Sequence, residues 1–200
     1  MNPELELAVA AIRGGKLAVV PTDTVYGLAA SAEERPARRL YEAKGRDAKQ
    51  PTALVVSSLE TLLELLPELR GRAERAARAL LPGPYTLVVP NPARRYPWLT
   101  GASPDAIGVR VPKLTGNARR LLDRVGALTA TSANLPGGPD PRTLAAVPDE
   151  IRRAADAFLD GGELAGTPST VLDLTGAEPR VLREGAAPSA EALRLVGHLL

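Results

Sequence analysis

The side chains able to do chemistry fall in four short segments. Pro21-Thr22-Asp23-Thr24-Val25-Tyr26-Gly27-Leu28 sets hydroxyls and a carboxylate directly after an apolar run. Lys44-Gly45-Arg46-Asp47-Ala48-Lys49-Gln50-Pro51 puts three cations within six residues, with Asp47 as the only acid. Ala130-Thr131-Ser132-Ala133-Asn134 follows another apolar run and leads into Pro136-Gly137-Gly138. Ser169-Thr170-Val171-Leu172-Asp173 is followed by Arg180-Val181-Leu182-Arg183-Glu184-Gly185. The chain has no cysteine and a single histidine, His198, near its C-terminal end. That excludes thiol nucleophiles, Cys-ligated metals and disulfide frameworks, and argues against a Ser-His-Asp triad or a multi-histidine metal site. Carboxylates, hydroxyls, Lys, Arg and backbone amides are left to carry any reaction.

Each segment has a functional and a plain structural reading. Hydroxyls at the C-terminal end of a strand are where α/β ligands bind. Thr22, Thr24 and Tyr26 alternate, so an extended segment would turn them to one side; the other possibility is a turn with Asp23 as a local cap. Lys44, Arg46 and Lys49 suit phosphates, Arg as a planar fork and Lys as a compact charge. The same cations would also complement a helix C-terminus. The third segment is either an anion-binding loop with close backbone N–H groups or a Ser/Asn turn. Arg183, at a strand end beside Gly185, faces either a phosphate or a surface acid. The common nucleotide signatures, GxxxxGK[ST] and GxGxxG opening a helix, are absent.

The elements that must position these residues alternate. Helices are predicted over 3–13 (Asn2 as cap, Pro3 in the first turn), 36–44, after a Ser57–Glu60 capping box, 70–81, Thr115–Arg124, 149–155, and from Ser189. Strands are predicted at 17–21, 52–56, 85–89, 107–111, 127–131, 170–174 and 180–183. The last two strands follow one another directly and the later connections are long. The expected class is therefore α/β with a twisted mixed sheet, as one domain over 1–200.

At 200 residues, 44% hydrophobic and 24% charged, the chain can build a core without staples. The net charge of +2 is uneven: Asn91–Arg124 carries +5 and the stretch from Asp149 onward −4. A basic middle suits an anionic ligand, a nucleotide or a nucleic acid; a solvated mixed-charge surface would look the same. Only six aromatic residues are present, few for base stacking; Tyr85, Tyr96, Trp98 and Phe158 read as core or rim, and His198 as a solvated helix-end residue. No apolar run reaches membrane length, and Glu4 and Glu6 stand where a secretion signal needs positive charge. A cytoplasmic protein with no membrane partner is expected.

Taken together, PTDTVYGL, the KxR of Lys44 and Arg46, PGPYTLVV (82–89), IGVRVP (107–112), the SxN of Ser132 and Asn134, STVLDL and the REG of 183–185 resemble, in order, the YrdC-like domain family. The resemblance runs from about Leu17 to Gly185. It implies a twisted sheet curled around a large basic cavity. It also implies the activity of L-threonylcarbamoyladenylate synthases: L-threonine, bicarbonate and ATP give threonylcarbamoyl-AMP and pyrophosphate, with Mg²⁺. The product serves downstream tRNA threonylcarbamoyl transferase proteins that modify an adenosine next to the anticodon. By resemblance, Lys44 and Arg46 are catalytic, holding the phosphates or the carbamate. Thr24, Arg110, Ala130 and Ser169 contact threonine, Arg110 through the carboxylate. Arg46, Gln50, Ser132, Asn134 and Arg183 serve the nucleotide, with Asn134 bracing the loop; no metal-ligating residue is assigned. Two residues depart from the family pattern. Asp47 replaces a frequent proline beside the KxR cations, and Gln50 a small polar or basic residue. Two other readings stay open: a module of the same fold that binds double-stranded RNA or tRNA without synthase activity, and a paralogue with another activity.

Overall fold

The computed structural model describes residues 2–47 and 49–197; His198 lies outside them. Nine strands run in chain order: β1 Ala18–Pro21, β2 Tyr26–Ser31, β3 Ala53–Val56, β4 Tyr85–Pro90, β5 Ala106–Arg110, β6 Ala127–Ser132, β7 Ala157–Phe158, β8 Thr170–Asp173 and β9 Arg180–Arg183. The helices are α1 Pro3–Arg13, α2 Glu34–Lys44, α3 Leu59–Leu65, α4 Gly71–Leu80, α5 Gly116–Val125, α6 Asp149–Ala154 and α7 Ser189–Gly197. All nine strands form one mixed sheet in the order β7-β1-β2-β6-β3-β5-β4-β8-β9. The β1–β7, β3–β5 and β4–β8 pairs are parallel and the others antiparallel.

The α/β mixed-sheet expectation holds, and the helix starts show why. Asn2 Oδ1 accepts from the Leu5 N–H at 3.1 Å with Pro3 at the first helical position, so one orphan donor of α1 is satisfied and the proline costs no hydrogen bond. The cap of α3 sits one residue later than the 57–60 box implies: Ser58 Oγ accepts from the Thr61 N–H at 3.1 Å. Two strands are additional to those predicted. β2, Tyr-Gly-Leu-Ala-Ala-Ser, lacks the β-branched residues that mark a strand, and the two-residue β7 is too short to show a period.

The sheet has two unlike faces. On one, Leu54, Val56, Leu87, Val89, Ile107, Val109 and Leu172 are buried in a core shared with α3, α4 and α7, while Leu28 and Ala30 pack with α2 and α6. On the other, α1 and α5 cover Ala18, Val20, Ala29 and Leu128. Past these residues the second face carries Gly27, Ala53, Thr86, Ala106, Gly108 and Ala130, and these line a cavity of about 600 Å³. Period-2 alternation thus puts large apolar residues against the helices and small residues under an open space. The smallness of the floor residues is what leaves room for a ligand.

Candidate active site

The cavity walls bring together most of the residues singled out in the sequence. Thr24, Arg46, Arg110, Ala130, Ser132, Ser169 and Arg183 all line it. Lys44, Gln50 and Asn134 do not. Four arginines (46, 110, 180 and 183) and two aspartates (140 and 173) supply its charged lining, which makes it basic. No aromatic ring lines it.

The hairpin from β1 to β2 delivers the first segment. Thr22 Oγ1 donates to Val25 O at 2.7 Å and accepts from the Thr24 and Val25 N–H groups at 3.2 Å, closing the turn with a side chain. The reversal breaks the expected alternation. Thr22 and Thr24 meet at 3.0 Å on the cavity side. Tyr26 points to the opposite face, where its hydroxyl lies 2.8 Å from both Asp160 Oδ1 and Gly162 O and gives its single proton to one of them. Burial there raises the Tyr26 phenol to about 12. Asp23 is a partner of Arg110 rather than a local cap.

Lys44 ends α2, ahead of Gly45 in the left-handed region at φ 58°, which turns the chain out of the helix. The residue is 5% exposed, and its ammonium has three acceptors: Ser132 O at 2.7 Å, Asn134 Oδ1 at 2.7 Å and Asn134 O. An ammonium has three protons, so all are used on the 132–134 loop. Burial and the neighbouring Arg46 pull its pKa down to about 8, against the opposing pull of Asp140. Lys44 therefore shapes the loop at the cavity wall instead of reaching into the cavity.

Asn134 completes that brace. Its Oδ1 also accepts the Ser132 hydroxyl proton at 2.7 Å, and its Nδ2 donates to Gly138 O at 2.7 Å. Ser132 Oγ is left with acceptor capacity on the cavity side. Arg46 spans the site, donating to Thr131 Oγ1 at 3.2 Å and Pro51 O at 2.6 Å. Its Nε is buried without a partner, and burial lowers its pKa. A guanidinium has five donors, so Arg46 keeps free ones for an anion. Asp47, the acid among the cations, builds the local turn: its Oδ1 accepts from the Lys49 N–H at 2.8 Å and its carbonyl from the Gln50 N–H at 2.9 Å. Gln50 is exposed and outside the cavity lining.

Across the cavity, Ser169 is 2% exposed, and its Oγ lies 2.8 Å from Thr86 Oγ1. Arg183 donates to Ser169 O at 2.8 Å and to its Oγ at 3.2 Å. Arg183 is thus tied to the cavity wall at Ser169, not to a surface acid. Gly185 makes this docking possible: a Cβ there would lie 2.3 Å from Pro168 O and 2.4 Å from the Ser169 carbonyl carbon. Both are backbone atoms, so nothing soft can yield. Gly185→Ala is expected to cost about 1–3 kcal/mol through overpacking. In a domain of this size that lowers Tm by roughly 5 °C; thermal melts check this.

Several lining residues escaped sequence reading. Thr86 was legible in the Tyr85/Leu87/Val89 alternation, which places 86 and 88 on the cavity face. Thr52, whose Oγ1 is buried without a partner, and Asp140, in a Gly/Pro loop, carried no signal. The basic middle of the sequence proved to be mostly surface. Arg94, Arg95, Arg119 and Arg124 pair with Asp105, Glu68, Asp123 and Glu6, and only Arg110 of that stretch enters the cavity.

A sheet face kept open by small residues, lined with hydroxyls and edged with arginines from distant segments, defines an α/β domain built to enclose an anionic small molecule. The chain belongs to the Sua5/YciO/YrdC family, described as telomere recombination, whose pattern matches residues 10–185. It is similar to the threonylcarbamoyl-AMP synthase of Pyrococcus abyssi, 36% identical over 200 residues, covering 98% of this chain and 58% of that protein. The crystal structure of P. abyssi Sua5 complexed with L-threonine superposes with a TM-score of 0.85 at 36% identity, over 96% of this chain and 57% of that one. E. coli YciO superposes at 0.79 with 28% identity, over 94% and 93%. The chain thus spans somewhat less than two thirds of the P. abyssi relative.

Proposed function

We propose that this chain is an L-threonylcarbamoyladenylate synthase. The observation that carries the proposal is the convergence of Thr24, Arg110 and Ser169 with Arg46, Ser132 and Arg183 around one cavity, in a chain similar to a protein solved with L-threonine. The amine of threonine takes up bicarbonate to give a carbamate and water. A carbamate oxygen then attacks the α-phosphorus of ATP, a P–O bond to the β-phosphate breaks, and pyrophosphate leaves. The nucleophile belongs to the substrate, which suits a chain with neither thiol nor a described imidazole.

The protein's work is positioning and charge neutralisation. Arg110 takes the threonine carboxylate, with Thr24, Ser169 and the Ala130 backbone around the rest of the amino acid. Arg46 and Arg183 face the phosphates from opposite walls, and Lys44 with Asn134 holds the Ser132 loop in place. Gln50, exposed and outside the lining, has no contact role in this reading. Adenine lies against aliphatic wall, since no ring is there to stack on it.

Among the described residues no three His, Asp or Glu side chains converge on a metal-sized site. The residues do not build a cage for Mg²⁺, and no step here depends on one; Mg²⁺ would arrive on the triphosphate as part of that substrate. The product would pass to transferase proteins acting on tRNA. No described helix is long and apolar enough to cross a membrane, and the reading places the reaction in the cytoplasm.

The test is pyrophosphate release with ATP, Mg²⁺ and bicarbonate, with and without L-threonine. Release that needs threonine and fails with alanine supports the synthase. No release, with RNA binding that falls steeply with salt, replaces it with an RNA-binding module; neither result points to a paralogue.

A further inference from the structure

Arg110 reaches into the cavity, yet one end of its guanidinium is already held. Asp23 uses both carboxylate oxygens: Oδ1 accepts from Arg110 Nη2, and Oδ2 accepts from the Lys113 backbone N–H at 3.0 Å. The two side chains are 12% and 8% exposed. The same Nη2 donates to Thr24 Oγ1 at 2.8 Å. Thr22 gives its single proton to Val25 O at 2.7 Å and takes the Thr24 and Val25 N–H groups at 3.2 Å, which fills both of its lone pairs. Thr24 Oγ1, 3.0 Å from Thr22 Oγ1, meets Arg110 with one lone pair and keeps the other. Arg110 Nε is buried with no partner.

We propose that Asp23 is a positioning residue that fixes the polarity of the amino-acid seat. It holds the guanidinium with Nη2 on Thr24 Oγ1, so that a donor group whose Nε has no protein partner stands next to a hydroxyl with an open lone pair. An α-amino acid then enters with its carboxylate on the guanidinium and its nitrogen N–H on the threonine hydroxyl, and the reverse orientation meets donor with donor. Asp23 does not touch the substrate. Its part is to keep Arg110 in one rotamer and to balance its charge while the seat is empty. An amide at this position could satisfy only one of the two donors that the carboxylate serves. Arg110 would be left without a counter-charge and free to turn. This inference rests on the threonine site proposed above.

The experiment compares wild type, Asp23→Asn, Arg110→Ala and the double variant by pyrophosphate release and by thermal melts. Asp23→Asn is expected to raise the threonine KM about 30-fold and to leave the ATP KM within about twofold, the size of losing one charge-assisted contact. Its preference for threonine over 1-amino-2-propanol, the same amine without the carboxylate, measured by competition, should shrink by a similar factor. The double variant should match Arg110→Ala in threonine KM, because Asp23 acts through Arg110. An unchanged threonine KM in Asp23→Asn, equal rises in both KM values, or a further tenfold loss in the double variant (about 1.4 kcal/mol of independent contribution) overturns the proposal. If Asp23→Asn does not fold, the double variant decides, since it buries no unpaired charge. Wild type without threonine-dependent release defeats the parent reading instead.

Discussion

Lys44→Ala is expected to lower kcat/KM for pyrophosphate release by about 10³-fold while the chain still folds. The change strips Ser132 O, Asn134 O and Asn134 Oδ1 of one shared donor. The loop that carries Ser132 then loses its only described tie to α2 through an ammonium, and a positive charge disappears beside Arg46. Water can reach the vacated carbonyls, so the loss falls on activity more than on Tm.

The same side chain predicts a pH dependence with two opposite signs. As pH rises through about 8, Lys44 loses a proton and keeps two donors for three acceptors, so activity falls on that alkaline limb. Its folded pKa lies below its ordinary 10.5, so between those values the unfolded chain binds more protons than the folded one. Lys44's contribution to stability therefore rises over that window and is lost as pH falls back through about 8. A pH–rate profile beside melts at each pH checks both slopes. An alkaline limb that persists unchanged in the residual activity of Lys44→Ala assigns it to another group.

Arg110→Ala is expected to raise the threonine KM about 100-fold, equivalent to roughly 2.7 kcal/mol, with the ATP KM changed by no more than about twofold. The split follows from geometry. Arg110 projects from β5 beside Thr24, while the phosphates are assigned to Arg46 and Arg183 on the flanking walls. A rise in ATP KM with threonine unaffected would reverse the assignment. Some loss of stability accompanies the variant, because Asp23, 8% exposed, loses its counter-charge and keeps only the Lys113 N–H.

Much of this was legible in the residues. The helix starts at Asn2-Pro3 and near Ser58, the strand pattern in YTLVV and IGVRV, and the motif order each reported a local rule of spacing or capping. What escaped was set by contacts distant in sequence. β2 is held by β1 and β6 rather than by its own propensity. Asp23 looked like a turn residue until β5 brought Arg110 to it, 87 residues away. Lys44 looked like a free phosphate ligand because nothing in KGR reveals that three acceptors of the 132–134 loop surround it. The excess of basic residues between 91 and 124 misled for the converse reason: composition counts charges, while the fold decides which of them are already neutralised.

The cavity wall begins at Thr22 and ends at Arg183, and it crosses the sheet from β2 to β9 through every strand between them. A ligand seated there bridges strands that otherwise meet only through their neighbours, so it acts as a rivet for the whole sheet. Saturating ligand should therefore slow amide exchange across all these strands together, as mass action on the global unfolding equilibrium requires. Ligand occupancy and survival against proteolysis then become one quantity, and a shortage of substrate would be felt as a shorter-lived protein.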